Sequence, residues 1–321
     1  MATAQAIPLS DIEGARERVA RAAIRTPLVH LNVDDAPAEV YLKLENLQPI
    51  GSFKIRGAAN RMLSADPAEL ERGVWTASAG NMAQGVAWCA RLLDVPCAVV
   101  VPETAPETKL AATRRLGARL VSVPFDEWFE CFVTHEHPAM EGVFVHAFDD
   151  PLVMAGNGTI GLELVEDMPN LDAVLIPFGG GGLACGIASA VRAVRPEARI
   201  FAVEVETGAP LAASLEAGEP VHVEYTPSWV DGIGSAQVLE EELRLSQLLL
   251  DGSIVLGLHE IADAVRLLAE RNRVVAEGAG ASSVAAALRG DAGGGKLVCV
   301  VSGGNIDASK LATILSGGAP P

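Results

Sequence analysis

The sequence predicts an α/β protein of two doubly wound domains built on mainly parallel sheets. Short, continuously apolar runs alternate with amphipathic segments along nearly the whole chain. Proline and glycine mark the joins, at Pro102, Gly117, Pro124, Pro151 and Pro177. The 321 residues suit about two domains of ~150 residues each. Strands that are apolar from end to end are buried on both faces, which requires a parallel sheet covered by helices.

The strand-like runs are, in order, residues 40–44, 74–77, 97–101, 143–147, 173–178, 200–205 and 297–301. Helical periodicity occupies residues 83–93, 107–116, 152–165, 183–194, 260–269 and 308–315. No internal repeat, low-complexity linker or long heptad pattern interrupts this order, and composition marks no domain boundary.

A chain of this length buries roughly three quarters of its unfolded surface, so its core needs no staples. Half of the residues are hydrophobic but only 4% are aromatic, so the interior is made of Ala, Val, Leu and Ile. The net charge of −17, with no basic run, repels phosphate backbones and anionic lipid. Nucleic acid and membrane surfaces are therefore not expected partners, and an anionic cofactor must be held by local backbone donors. The odd set Cys89, Cys97, Cys131, Cys185 and Cys299 has no CxxC pair and is expected to be buried reduced thiols. Residues 1–11 lack a basic and an apolar leader segment, and the longest apolar runs fall far short of the ~20 residues of a membrane span. A soluble cytoplasmic protein is expected.

Three strand-to-helix corners are rich in small residues, and such corners converge backbone N–H groups on anions. The strongest is Gly179-Gly180-Gly181-Gly182-Leu183, where four glycines allow close approach of an anion such as phosphate. The second is Ser78-Ala79-Gly80-Asn81-Met82, a further anion corner, or else a turn in which Ser78 or Asn81 caps a helix. The third, Ser302-Gly303-Gly304-Asn305, offers a hydroxyl at a sheet edge and is by itself an ordinary turn. Lys54 follows Ser52, a candidate N-cap, and so stands in a helix's first turn, where a cation opposes the dipole. A desolvated lysine there has a lowered pKa and is suited to a Schiff base.

Together these segments resemble the threonine dehydratase and serine racemase group of the fold-type II pyridoxal-phosphate enzymes. The ordered motifs are Ser52-Phe53-Lys54-Ile55-Arg56-Gly57-Ala58, Ser78-Ala79-Gly80-Asn81, His146-Ala147-Phe148-Asp149-Asp150-Pro151-Leu152 and Ala155-Gly156-Asn157-Gly158-Thr159. The four-glycine loop, Val230-Asp231-Gly232-Ile233, Glu277-Gly278-Ala279-Gly280 and Ser302-Gly303-Gly304-Asn305 complete the set. The resemblance implies a large cofactor-binding domain of residues 1–72 and 148–321, a small substrate-loop domain of residues 73–147, and a homodimer or higher homo-oligomer.

It also implies roles. Lys54 carries pyridoxal 5′-phosphate as a Schiff base and acts as the base at the substrate α-carbon. Phe53 lies against the cofactor ring, Asn81 bonds the ring 3-oxygen, and Gly179, Gly180, Gly181, Gly182 and Leu183 hold the phosphate. Ser302 faces the pyridine nitrogen, with Gly303, Gly232 and Glu277 near the cofactor. Ser78, Ala79, Gly80, Asn81 and Met82 receive the substrate. The implied reaction is α,β-elimination of water from L-threonine, L-serine or a related 3-hydroxy-amino acid, giving a 2-oxo acid and ammonia. Racemisation and β-replacement are the alternatives on the same fold.

Several positions depart from the group's pattern. Ala79 stands where racemases carry a serine that exchanges a proton, which favours elimination. Met82 stands where a histidine is usual, and a shift in substrate choice is expected. A divalent-cation site seen in some relatives maps to Glu204, Gly208 and Pro210; proline offers no ligand, so no metal is expected there. His135 and His137 are read as a solvated helix rather than a zinc site. The chain ends soon after its last helix, so no regulatory extension and no isoleucine feedback are expected. From other classes, a nicotinamide dehydrogenase would use Gly179, Gly181 and Ala184 with Glu204, but it leaves Lys54, Asn81 and Ser302 without a role. A non-catalytic amino-acid sensor is the remaining alternative.

Overall fold

The computed structural model describes residues 5–320 apart from residue 106, so the first four residues of the N-terminal stretch and the last residue of the chain lie outside it. Ten strands form two sheets: β1 (Leu28–His30), β2 (Glu39–Leu44), β3 (Val74–Ala77), β4 (Cys97–Pro102), β5 (Arg119–Val123), β6 (Val143–Phe144), β7 (Ala173–Pro177), β8 (Arg199–Val205), β9 (Gly252–Leu256) and β10 (Lys296–Val301). The larger sheet runs β1-β2-β10-β7-β8-β9 and is parallel except for β1 on β2. The smaller runs β5-β4-β3-β6 and is parallel throughout. All four of its strands fall between residues 74 and 144, inserted between β2 and β7.

The seven runs expected from hydrophobicity are all strands. The three unforeseen ones, β1, β5 and β9, are edge strands, and β6, also an edge, stops at Phe144 rather than residue 147. An edge strand is half exposed and carries charge or glycine, so its apolar signal is weak. The unforeseen helices are Leu9–Val19, Pro67–Glu71, Phe125–Thr134, Pro210–Ala217, Glu240–Leu249 and Gly278–Arg289. His135 ends the helix Phe125–Thr134 in the left-handed region and packs on Phe144, and His137 lies beyond that helix beside Glu127, so neither sits on a solvated helix face. The five cysteines are free; Cys97 alone among them is only half-buried.

The helix Pro151–Asp167 is the central pillar. It meets the helix Lys54–Leu63 through glycines that leave no room for a side chain. A Cβ on Gly156 would lie 2.5 Å from the Arg56 carbonyl oxygen, and one on Gly57 would lie 2.7 Å from Val153 Cγ1. On its other side, a Cβ on Gly186 would lie 2.3 Å from the Met154 carbonyl oxygen. Glycine here trades helix propensity for backbone contact.

Beneath Lys54, the buried Arg56 guanidinium binds Glu45 Oε1 at 2.7 Å and Oε2 at 2.8 Å, and Glu163 Oε1 at 2.7 Å. The buried Lys43 meets Glu163 at 2.6 Å. The guanidinium fork matches two carboxylates at once, which fixes the start of the Lys54 helix against the pillar. No helix among the described residues is long and apolar enough to cross a membrane.

Candidate active site

The corners after β3, β7 and β10, at the carboxyl ends of these strands where parallel sheets gather ligands, are drawn together by contacts around Glu277. Lys54 is the first residue of the helix Lys54–Leu63, whose N-cap is Phe53. The expected cap, Ser52, is instead a bridge residue: its backbone pairs with Gly303, and its buried hydroxyl has no hydrogen-bond partner. Phe53 N–H donates to the Ser302 carbonyl at 3.0 Å, so the lysine segment is laced to the corner after β10. That lacing leaves Phe53 in αR geometry and uses it as the cap, with no side chain capping the helix.

Lys54 is half-buried, its Nζ donates to the Ala147 carbonyl, and it lies 5.1 Å from the Phe53 ring centroid. Burial pushes its amine down to about 8, with Glu277 pulling weakly the other way. A neutral amine is therefore accessible near neutral pH, as a nucleophile or base needs. Gly85 of the helix Asn81–Leu93 brings that helix against Lys54; a Cβ there would lie 3.2 Å from the Lys54 carbonyl oxygen.

The corner after β3 leads into the helix Asn81–Leu93, whose N-cap is Gly80. Ser78 Oγ accepts from Gly80 N–H at 3.2 Å and so shapes the turn, while neither Ser78 nor Asn81 caps the helix. Asn81 Nδ2 donates to Glu277 Oε1 at 2.9 Å, and Asn81 Oδ1 accepts from Asn305 Nδ2 at 2.8 Å. Ala79 is half-buried at the turn. The Met82 side chain, by contrast, is buried in the hydrophobic core with Ile55 and Val86. At this position the turn presents backbone, while the thioether packs inside.

Gly179 and Gly180 are half-buried at the cleft, and Gly181 and Gly182 are buried where the helix Gly182–Val194 begins. Gly181 has φ +89°, which presents successive amides to one side at the positive end of that helix. Phe148 closes one flank of the loop: a Cβ on Gly180 would lie 2.2 Å from its ring. Leu183 points into the core.

The remaining expected residues are drawn in by close contacts. A Cβ on Gly179 would lie 3.3 Å from the Gly232 carbonyl oxygen, and one on Gly232 would lie 3.7 Å from Glu277 Oε1. Glu277 is the N-cap of the helix Gly278–Arg289, and its N–H donates to the Gly303 carbonyl at 3.0 Å. A Cβ on Gly303 would lie 2.4 Å from Glu277 Oε1. Glu277 is thus the hub joining Asn81, Gly232 and Gly303. Ser302 is buried directly after β10.

Sequence reasoning missed three participants. Asn305 was only part of a turn motif, yet it orients Asn81. The Ala147 carbonyl holds Lys54. The buried His146 accepts from Asp149 N–H at 2.6 Å and from Phe148 N–H at 3.3 Å, both through Nδ1. Burial, then His135 and Lys54, push that imidazole down to about 3, so it stays neutral. The position of His146 inside its motif was the only available signal.

Glu204 is engaged elsewhere. Its carboxylate accepts from Leu211 N–H at 2.8 Å, Ala212 N–H at 2.7 Å and Ser253 Oγ at 2.6 Å, capping the helix Pro210–Ala217. That occupation removes the acid a dinucleotide ribose requires. Among the described residues no group of three or more His, Cys, Asp or Glu is arranged to hold a metal.

An amine lowered by burial, glycine amides at a helix end and a buried hydroxyl at the third corner fit an aldehyde cofactor with a phosphate tail. The comparisons agree. The family described as "Pyridoxal-phosphate dependent enzyme" matches residues 19–303. The chain is 41% identical to an L-threonine ammonia-lyase of Thermotoga maritima over 317 residues, covering 97% of this chain and 79% of that one. It is 38% identical to the catabolic L-threonine dehydratase TdcB of Escherichia coli K12, covering 96% of each. The solved structure of maize serine racemase superposes with a TM-score of 0.88 at 31% identity, covering 98% of each chain. On the extent of these matches, the chain belongs to the pyridoxal-phosphate-dependent enzyme family and takes pyridoxal phosphate as its cofactor.

Proposed function

We propose that this protein is a pyridoxal-phosphate-dependent ammonia-lyase that converts L-threonine, L-serine or a related 3-hydroxy-amino acid to a 2-oxo acid and ammonia. The observation that carries the proposal is Lys54, whose amine is lowered to about 8 at the meeting point of three anion- and ring-receiving corners. The names of the relatives support the same activity. In this reading residues 1–72 with 148–321 hold the cofactor, and residues 73–147 carry the substrate loop.

When bound, the cofactor supplies a conjugated electron sink for charge at the substrate α-carbon. Lys54 holds the cofactor and, once released from it, takes the α-proton on Nζ. The Ala147 carbonyl orients that nitrogen. The turn of Ser78, Ala79, Gly80 and Met82, at the start of the helix Asn81–Leu93, would receive the substrate carboxylate at that helix's positive end. Asn81, held by Glu277 and Asn305, would meet the cofactor's 3-oxygen, and Phe53 would lie against its ring. The buried Ser302 would be a neutral partner for the ring nitrogen and so would not enforce protonation there, as a carboxylate would. Ala79 offers no proton on the opposite face, so the α-carbon is not reprotonated from there.

The test is a substrate panel of L-serine, L-threonine and bulkier 3-hydroxy-amino acids followed by 2-oxo acid release, with and without added thiol. Release from at least one, unaffected by thiol, is expected. Thiol-dependent loss of 2-oxo acid would show β-replacement. No release despite bound cofactor would show a sensor.

A further inference from the structure

Behind the Gly179–Gly182 loop lies a buried acid with no role in the reaction described above. Glu242, on the helix Glu240–Leu249, is wholly buried. Its Cγ lies 2.8 Å from the point that a Cβ on Gly181 would occupy, so the side chain abuts the left-handed glycine of the loop. Among the described residues neither of its carboxylate oxygens has a hydrogen-bond partner. The charge that acts on it most strongly is another acid, the half-buried Asp149, which immediately follows Phe148 on the flank of the same loop.

Two carboxyls this close, one of them without solvent, cannot both ionise without a large penalty. Burial first, and the Asp149 charge second, push the Glu242 carboxyl up to about 8, with its own backbone amide offsetting part of the effect. The other titratable groups facing it do not relieve the penalty. Glu241, on the same helix, is also acidic. Cys185, from the helix Gly182–Val194, is a thiol that burial pushes up to about 12 and that therefore stays neutral.

We propose that Glu242 is a positioning residue of the cofactor cradle: it keeps its proton and stays neutral behind Gly181 while the glycine loop holds the cofactor phosphate, so that cofactor binding is linked to that proton. This rests on the reading of Gly179–Gly182 as the phosphate site. A phosphate dianion beside Gly181 makes an ionised Glu242 costlier still, so binding raises the proton affinity of Glu242. Below about pH 8 the proton is already present and affinity is unaffected. Above it, binding must take up a proton, and affinity falls as pH rises.

The experiment measures the affinity of apoenzyme for pyridoxamine phosphate, which carries the phosphate but no aldehyde, from pH 7 to 9.5. Its phosphate is a dianion throughout this window. Lys54 also loses charge here, so wild type is compared with Glu242→Gln, which keeps Lys54 and replaces the acid with a neutral group of similar shape. Wild-type affinity is expected to fall about tenfold more than that of the variant between pH 8 and 9.5. Calorimetry at pH 8, in two buffers of different ionisation enthalpy, is expected to show a substantial fraction of a proton more taken up by wild type than by Glu242→Gln, or than by Glu242→Met should the glutamine variant fail to fold. Parallel pH profiles, or equal proton uptake, would overturn the role given to Glu242 while leaving the loop intact. No binding of pyridoxamine phosphate at any pH would overturn the loop assignment and this proposal together.

Discussion

Asn81 donates to Glu277 across the cleft, from the first turn of the helix after β3 to the N-cap of the helix Gly278–Arg289, at 2.9 Å. The two residues are 196 positions apart and belong to different sheets' connections. The bond, with Asn305 fixing the other end of the amide, sets which atom of Asn81 is the donor. Asn81→Asp should therefore be worse than Asn81→Ala. The aspartate would face the Glu277 carboxylate with like charge, and a part-buried pair of acceptors costs roughly 1–3 kcal/mol. Cofactor affinity, read by absorbance titration, is expected to fall about tenfold or more for Asp and less for Ala.

The lowered amine of Lys54 gives the attachment of cofactor its own pH dependence. Only the neutral amine reacts, and its fraction rises from about a tenth at pH 7 to about nine tenths at pH 9 when the pKa is about 8. Covalent attachment to apoenzyme should accelerate about ninefold over that range, with an inflection near pH 8. An ordinary lysine would still be accelerating tenfold per unit at pH 9. Stopped-flow absorbance checks the inflection. Lys54→Ala should abolish both attachment and turnover, and mass spectrometry after borohydride reduction should find the cofactor mass on Lys54 alone.

The four glycines of the loop are alike in sequence and unlike in structure. A Cβ on Gly182 would lie 2.7 Å from the Phe148 carbonyl oxygen, which is backbone and cannot step aside. One on Gly179 would be 3.3 Å from the Gly232 carbonyl oxygen, a contact that a few tenths of an ångström relieves. Gly182→Ala is expected to lower both melting temperature and cofactor affinity strongly, and Gly179→Ala to lower affinity mildly with little change in melting temperature.

What the sequence made legible follows the physics of each signal. Central strands such as β7 and β10 are buried on both faces and read as unbroken apolar runs; edge strands such as β5, with Arg119 exposed, do not. Lys54, Asn81 and the glycine loop stand out in the sequence by residue type or loop composition. Residues whose role depends on a distant partner do not. Glu45, Glu163 and Lys43 look like ordinary surface charges until the fold gathers them around Arg56. Glu242 lies in an acidic run, Glu240-Glu241-Glu242, and nothing in that run singles out the one that faces inward. Met82 adjoins Asn81 in sequence, but its side chain is directed to the core, which the sequence does not reveal.

The gathering around Arg56 makes a stability prediction. Arg56→Ala leaves Glu45 and Glu163 facing each other in the interior, with Lys43 reaching only Glu163. Removing one partner of such a buried set costs about 3–5 kcal/mol. Arg56→Lys keeps the charge but loses the fork that serves two carboxylates, so it should fall between wild type and alanine. Urea denaturation monitored by circular dichroism measures both. Because Lys54 begins the same helix, the alanine variant should also retain cofactor less tightly.

Ala79 tests how the cleft chooses between elimination and racemisation. It sits at the turn after β3, half-buried, with the Ser78–Gly80 hydrogen bond on either side. In the proposed reading Lys54 approaches the substrate from one face, and the Ala79 methyl on the other face has no proton to give. Ala79→Ser adds a hydroxyl there with little added volume, so folding should be unaffected. In deuterium oxide, wild type is expected to leave D-serine without α-deuterium, while the variant should incorporate it, because a group now exists on the D-face to exchange the proton. The rate should stay well below that of 2-oxo acid release, since an isolated serine hydroxyl is a weak base without a partner to activate it. Exchange in wild type equal to that in the variant would mean that a group other than residue 79 serves that face.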